Sequence, residues 1–374
     1  MTSCKTLFWG DRKMTKRKII SVFLVFTVVM SGCGKKPSEV SSVKASEPSD
    51  TTVETTSDIS TESAPEETTT ETTVPETTKA PEPFTFKPHV HTDLLSEYVT
   101  EDMWKALYNL IDAIRSGEDT FVCPNQETFT WATDSTVLGT FLPPAGCIVE
   151  GESFENGVGR IRYTIGKEKY QERESAFEEE VVRILNEAIR TDYSDFEKLM
   201  GLYEYICLHF SYDNSSIDNV TVDEFSDYAC MMTKKGICCE IAGVLAYLLM
   251  QCDVETICFG STNHDWNYVV LGGKGYFVDA TWALTGNNPE YGVMLNYFLM
   301  TLDERLADGF EKDDLQVEQI WYWKRDYDIS RFTATDTYFA PIHDYTVYRG
   351  MDTEKNVIRY KVGDEILELS YGDL

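Results

Sequence analysis

Apolar residues recur at helical spacing in four stretches of the chain. Trp104, Leu107, Leu110, Ile111 and Ile114 follow Thr100, a residue able to cap a helix, and Gly117 supplies a stop. Phe177, Val181, Ile184, Leu185 and Ala188 mark a second helix. A third opens with Ser194-Asp195-Phe196-Glu197, a capping-box arrangement, and carries Phe196, Leu199, Tyr203, Ile206 and Phe210 inward. A fourth, apolar helix runs from just after Gly236 to about Met250. The pattern then changes to short strands at 255–260, 266–271 and 276–281. The last two are joined by Gly272-Gly273-Lys274-Gly275, a good hairpin loop. Residues 119–165, with Pro143-Pro144 and several glycines, read as irregular and β-like. Helices first and an antiparallel sheet afterwards define an α+β fold, not a doubly wound one. Beyond Ala283, residues 317–332 are rich in Trp and Tyr, and 345–369 alternate like strands with turns at Gly350 and Gly363. That region reads as a small β-rich C-terminal extension packing on the core.

The N-terminal pattern is of a different kind. Lys16-Arg17-Lys18 precedes twelve residues, 19–30, in which only Ser21 and Thr27 are polar. At about 1.5 Å per residue this run falls well short of a bilayer core of about 30 Å, so it reads as a signal-peptide segment and not a transmembrane helix. It ends in Met30-Ser31-Gly32-Cys33, which resembles the lipobox of bacterial lipoproteins, with Met30 where Leu is usual. The resemblance implies that Cys33 is diacylated and becomes the mature N-terminus. The protein would then be lipid-anchored in the cell membrane and face the cell-wall side; secretion after cleavage nearby is the alternative. Met14 begins a more typical signal than Met1.

Residues 34–83 contain no aromatic residue, and 51–80 hold twelve Thr among Glu, Pro and Ser. Such a stretch cannot bury enough apolar surface to offset its ordering entropy, so a disordered linker acting as a stalk is expected. The folded part is then divided as 84–190, a helical and β part; 191–290, a core of helices followed by the antiparallel strands; and 291–374, the extension.

Charge narrows the classes of partner. The chain has 33 Lys and Arg against 63 Asp and Glu, a net charge of −30. The first 33 residues carry six basic and one acidic side chain, residues 34–83 four and eleven, and 23 basic with 51 acidic remain from Phe84 onward. The folded part is itself acidic, which excludes nucleic acid as a partner, because phosphate binding needs a surplus of Lys and Arg. No EF-hand loop is present, and no cofactor is expected.

Candidate chemistry lies between Cys238 and Asp279. Cys238 stands at the start of the fourth helix, where unpaired N–H groups and the helix dipole favour thiolate over thiol. His264 follows 26 residues later, before a strand, and Asp279 lies 15 beyond that, near the end of the partner strand. A hairpin sets such positions side by side: a nucleophile, a base within reach, and a third group that orients the base. Burial as small hydrophobes accounts for Cys207, Cys252 and Cys258. Cys238, Cys239, His264 and Asp279 lack the two-to-four-residue ligand spacing of structural zinc sites. Among the other cysteines, Cys123 with Cys147 is the disulfide pair to test, since export permits one.

The local wording strengthens this reading. Gly236-Ile237-Cys238-Cys239-Glu240-Ile241-Ala242, Asn263-His264-Asp265-Trp266-Asn267 and Val278-Asp279-Ala280-Thr281-Trp282 resemble the three core motifs of the transglutaminase-like superfamily, in order and spacing. The resemblance covers roughly residues 196–283. It implies a papain-like core, with Cys238 as nucleophile, His264 as general base and acid, and Asp279 as its orienter. Cys239, Glu240 and Asp265 depart from the usual pattern, and a carboxylate near a thiol disfavours the thiolate. The implied reaction is acyl transfer from a protein or peptide amide through a thioester. It ends in hydrolysis, towards which the reading leans, or in amine cross-linking. The first oxyanion donor is expected to be the N–H of Cys238. Loss of Asp279 is expected to cost turnover and not the fold. A catalytically inactive surface interaction module on the same scaffold is the alternative from another class.

Overall fold

The computed structural model describes residues 81–213, 226–285, 292–318, 328–372 and 374. The signal segment, Cys33 and nearly all of the Thr-rich linker lie outside the described residues, as do 319–327 of the Trp- and Tyr-rich stretch.

Helix α1 (Glu101–Arg115) starts where Thr100 accepts a hydrogen bond from the Met103 amide at 3.3 Å, a cap worth about 1 kcal/mol. Its buried stripe includes Trp104, Leu107, Leu110, Ile111 and Ile114. After strand β1 (Thr120–Val122) come two short helices, α2 (Gln126–Ala132) and α3 (Ser135–Phe141), then β2 (Val149–Glu155) and β3 (Val158–Tyr163). The region expected to be irregular and β-like is therefore about one-third helical, with three strands beside the helices. Asn125 and Asp134 nucleate the two helices by accepting from the Thr128 and Thr136 amides at 2.9 and 2.8 Å. Seven residues make only two turns, too few for apolar periodicity to stand out. The three strands form one antiparallel sheet in the order β1-β3-β2.

Helix α4 (Lys167–Ala188) and helix α5 (Asp195–His209) follow, the latter with the complete capping box between Ser194 and Glu197. Then come β4 (Ser211–Tyr212), α6 (Asp227–Thr233), β5 (Lys235–Gly236) and α7 (Cys238–Gln251). Every residue of α7 except Cys239 is buried, because strands β6 (Thr256–Gly260) and β7 (Asp265–Leu271) cover one side and α5 and α6 the other. Asn267 of β7 donates from Nδ2 to the Ala242 carbonyl at 2.9 Å, fixing the sheet's register against the helix.

The central sheet is antiparallel, in the order β8-β7-β6-β9, with β8 (Lys274–Val278) and β9 (Gln316–Val317) at its edges. The β7–β8 turn is tighter than expected. Only Gly272 and Gly273 lie outside the strands, with φ of +55° and +77°, and Leu271 already pairs with Lys274. Two successive positive φ values are what a two-residue hairpin demands, and glycine adopts them without strain.

Helix α8 (Leu302–Ala307) leads towards the C-terminal strands β10 (Val347–Asp352), β11 (Val357–Val362) and β12 (Glu365–Ser370). They form an antiparallel three-stranded sheet. Gly350 is not a turn. It sits inside β10 at φ +113°, where the register with β11 shifts between Tyr348 and Met351, and so forms a bulge. Past β12, Tyr371 stacks on Phe196 at 4.3 Å and donates to Glu197 Oε1 at 2.5 Å, tying the extension to α5.

Cys123 and Cys147, the disulfide pair singled out for testing, are not bonded to each other. Cys123 is buried and points its sulfur at the Asn125 carbonyl, 3.5 Å away, inside the α2 capping turn. The chain is thus a mixed helix and sheet fold whose larger sheets are antiparallel.

Candidate active site

Cys238 occupies the first position of α7, and Ile237 before it is extended, with φ −100° and ψ −176°. An isoleucine cannot cap a helix through its side chain. Glu240 takes part of that work by accepting the Ile237 amide at Oε2, 2.8 Å away. The first-turn amides have no acceptor within the helix and face the end where Cys238 stands. Gly236 makes this approach feasible: a Cβ there would lie 2.7 Å from Cys230 Sγ and 2.9 Å from Glu240 Oε2. Burial pushes the Glu240 carboxyl up to about 7, even though the Ile237 amide and Ser226 pull it down.

His264 sits in the turn between β6 and β7. Gly260 and Asp265 are the last pair of those strands, and the Ser261 amide closes the turn on the His264 carbonyl at 2.8 Å. The chain can come this close only because residue 260 lacks a side chain. A Cβ on Gly260 would stand 2.2 Å from Asp265 Oδ1 and 2.8 Å from the His264 carbonyl oxygen.

Asp279 follows β8 directly, and its amide donates to the Tyr297 carbonyl at 2.9 Å. His264 Nε2 lies 2.6 Å from Asp279 Oδ2, and both residues are buried. Because an ionised carboxylate only accepts, Nε2 carries the hydrogen and the lone pair of the neutral ring is on Nδ1. The same Oδ2 accepts from Arg305 Nη2 at 3.1 Å, and Oδ1 accepts from the Trp282 amide at 3.1 Å. Burial raises the Asp279 carboxyl, but His264, Arg305 and this amide outweigh it and hold the group below its ordinary value. The imidazole plane is fixed by stacking on Trp282 at 4.7 Å and 15°, with Phe310 at 5.9 Å and 13°.

Arg305, from α8, is fully buried. Its guanidinium lies 4.3 Å from the Trp266 ring centroid, 4.7 Å from Trp282 and 4.8 Å from Phe310. The rings shield the charge from water, and Asp279 and Asp308 neutralise it.

The Cys238 thiol meets a carboxylate. Its sulfur lies 3.9 Å from Asp265 Oδ2, and the hydrogen bond runs to Asp265 and not to His264. Burial comes first, then the Asp265 charge, in driving the thiol well above its ordinary value; the Asp265 amide pulls the other way, the Asp279 charge adds to the rise, and the Cys239 amide opposes it. The expected helix-start activation is therefore reversed at rest, because desolvation and two carboxylates outweigh a few amide dipoles. Tyr212 is exposed, but its phenol end stands close enough to hydrogen-bond Cys238, and desolvation there, with Cys238 and Cys239 nearby, raises it above its ordinary value.

The structure thus joins His264 to Asp279 and sets Cys238 against Asp265, the neighbour of His264. Asp279 was expected to matter for turnover and not for the fold, but it is also the counter-ion of a buried arginine. Arg305, Trp282 and Phe310 escaped the sequence reading as parts of the site. Only Trp282 had a signal, as the last residue of the third motif. Arg305 lies 26 residues beyond Asp279, in a short helix that reads as an ordinary polar surface element. Among the described residues, no cluster of three or more Cys, His, Asp or Glu is arranged to hold a metal ion.

Comparison with known proteins gives partial likenesses. No family model matches the chain. A stretch of 116 residues is 26% identical to the Kyphoscoliosis peptidase of Mus musculus, covering 27% of this chain and 18% of that protein. Among solved structures, a TGase aligns with 35% of this chain and 44% of its own, at 14% identity and a TM-score of 0.25. A candidate cysteine protease from Cytophaga hutchinsonii aligns with 39% of this chain and 64% of its own, at 12% identity and a TM-score of 0.23. The chain spans less than a fifth of the curated relative it matches. These likenesses are to a peptidase, a TGase and a candidate cysteine protease.

Proposed function

We propose that this chain is a transglutaminase-like cysteine enzyme that cleaves or transfers protein or peptide amides through a thioester on Cys238, and is held at a membrane surface by acylated Cys33. The single observation that carries the reading is the buried His264–Asp279 hydrogen bond at 2.6 Å, on the hairpin that also brings Asp265 to the Cys238 sulfur. A purely structural hairpin has no need of an oriented imidazole next to the residue that meets a helix-start thiol.

In the first step the Cys238 sulfur attacks the amide carbonyl and its proton passes to His264 Nδ1. The tetrahedral oxyanion meets the Cys238 amide at the start of α7, with the Tyr212 phenol as a second donor nearby. Collapse breaks the C–N bond, and His264 returns the proton to the leaving amine. Asp279 stabilises the imidazolium between these transfers, and Arg305 keeps Asp279 ionised. Water, activated by neutral His264, then attacks the thioester and frees Cys238; a lysine amine in place of water gives a cross-link. We favour hydrolysis, because water is always present at the site.

The test offers the folded domain a glutamine-rich protein and a fluorescent primary amine, beside a Cys238→Ala variant. New peptide termini or released ammonia identify a hydrolase, and amine incorporation identifies a transferase. If wild type and Cys238→Ala behave alike and no thioester is trapped, the domain is an interaction module on an inactive scaffold.

A further inference from the structure

The Cys238 thiol donates its hydrogen to Asp265, the residue that follows His264 in the chain. Asp265 is rigidly placed. It is the first residue of β7, paired with Gly260, 4% exposed, and packed so closely that Gly260 leaves no room for a Cβ beside its Oδ1. Its carboxylate therefore cannot swing into solvent without opening the β6–β7 turn that also carries His264.

We propose that Asp265 is a positioning residue of the active site that holds the Cys238 thiol protonated on its own carboxylate, keeping the nucleophile latent and disfavouring anionic reactants. This inference rests on the reading of Cys238 as the nucleophile.

The charges around the sulfur bear it out. Asp265 faces it from β7 and Asp279 from the end of β8, with Glu240 and Cys239 on its own helix and Tyr212 on β4. Asp279 is ion-paired with Arg305 and hydrogen-bonded to His264, and its effect on the sulfur is smaller than that of Asp265. Glu240 is turned towards the Ile237 amide. Asp265 is the carboxylate whose oxygen points at the sulfur itself. A hydrogen bond from the neutral thiol, together with like-charge repulsion of the thiolate, acts in one direction: it stabilises S–H.

The experiment compares Cys238 alkylation in the wild-type domain and in Asp265→Asn, from pH 5.5 to 9.5, with modified sites read by mass spectrometry. Neutral iodoacetamide and anionic iodoacetate are used in parallel. Asparagine retains the shape and removes the charge. The expected result is a rate profile displaced at least about one pH unit downward, hence about tenfold faster alkylation at pH 7. The preference for iodoacetamide over iodoacetate should also fall severalfold in the variant. An unchanged or slower profile overturns the proposal, because Asp265 would then be neutral in effect or a base assisting the thiol. Should Asp265→Asn fail to unfold cooperatively, Asp265→Ser takes its place. Failure of both to fold makes Asp265 a purely structural carboxylate and also overturns the proposal. Alkylation requires no turnover, so the two readings fail separately: lack of acyl transfer refutes the catalytic function, whereas equal profiles refute only the role of Asp265.

Discussion

Arg305 and Asp279 form an ion pair closed to water on both sides, with Nη2 3.1 Å from Oδ2 and side chains 0% and 1% exposed. The pair joins α8 to the end of β8, and so fastens a helix outside the three motifs to the residue that orients His264. A buried charge pair contributes little net stability when intact, but breaking it leaves one ion uncompensated.

Arg305→Met is therefore expected to destabilise the domain by about 3–5 kcal/mol, measured by urea unfolding. Adding Asp279→Asn to that variant should recover part of the loss, because no charge is then left unpaired. Simple additivity of the two changes would show that the pair is not coupled.

Asp279→Asn alone is expected to lower turnover by about three orders of magnitude, since the amide cannot hold the imidazole in the Nε2–H form or stabilise its charged form. Contrary to the reading from sequence, it should also lower the unfolding midpoint, because Arg305 loses its counter-ion. Full stability with lost turnover would mean that Asp308 alone satisfies Arg305.

Stability should depend on pH through two carboxyls of opposite sign. Asp279 is held below its ordinary value, so its contribution is complete above about pH 4 and fades as pH falls towards the folded value. Glu240 rises from 4.5 to about 7, so the folded state keeps its proton longer than the unfolded chain does. Its effect is to lose stability between about pH 4.5 and 7, on the order of 3 kcal/mol in all. Glu240→Gln should flatten that decline in urea unfolding at a series of pH values. An identical slope in the variant would assign the decline to other groups.

Gly260→Ala should disturb catalysis from outside the catalytic set. The added carbon meets the His264 carbonyl and Asp265 Oδ1, so the turn must open. A stability loss of about 1–3 kcal/mol is expected, with turnover falling at least about tenfold. Wild-type kinetics in this variant would show that the turn adjusts without moving His264.

Anchoring is tested at Cys33. In a bacterial host the full chain should partition into detergent and incorporate fed fatty acid, and Cys33→Ala should remove both properties. Unchanged partitioning of the variant would eliminate the lipid anchor.

Much of this protein follows from short-range rules. The caps at Thr100 and Ser194, the apolar stripes of α1, α4 and α5, and the Gly272-Gly273 hairpin depend on residues a few positions apart, so they are legible in the sequence. The candidate residues Cys238, His264 and Asp279 were legible because each stands in a distinctive local phrase at an element boundary. The two helices between 126 and 141 were not, because seven residues show no period. What the tertiary structure decided is electrical. Whether Cys238 rests as thiol or thiolate depends on which charges burial places around it, and local sequence ranked the helix amides above Asp265 and desolvation. The role of Arg305 was invisible for the same reason, since its partner is 26 residues away and only folding removes both from water.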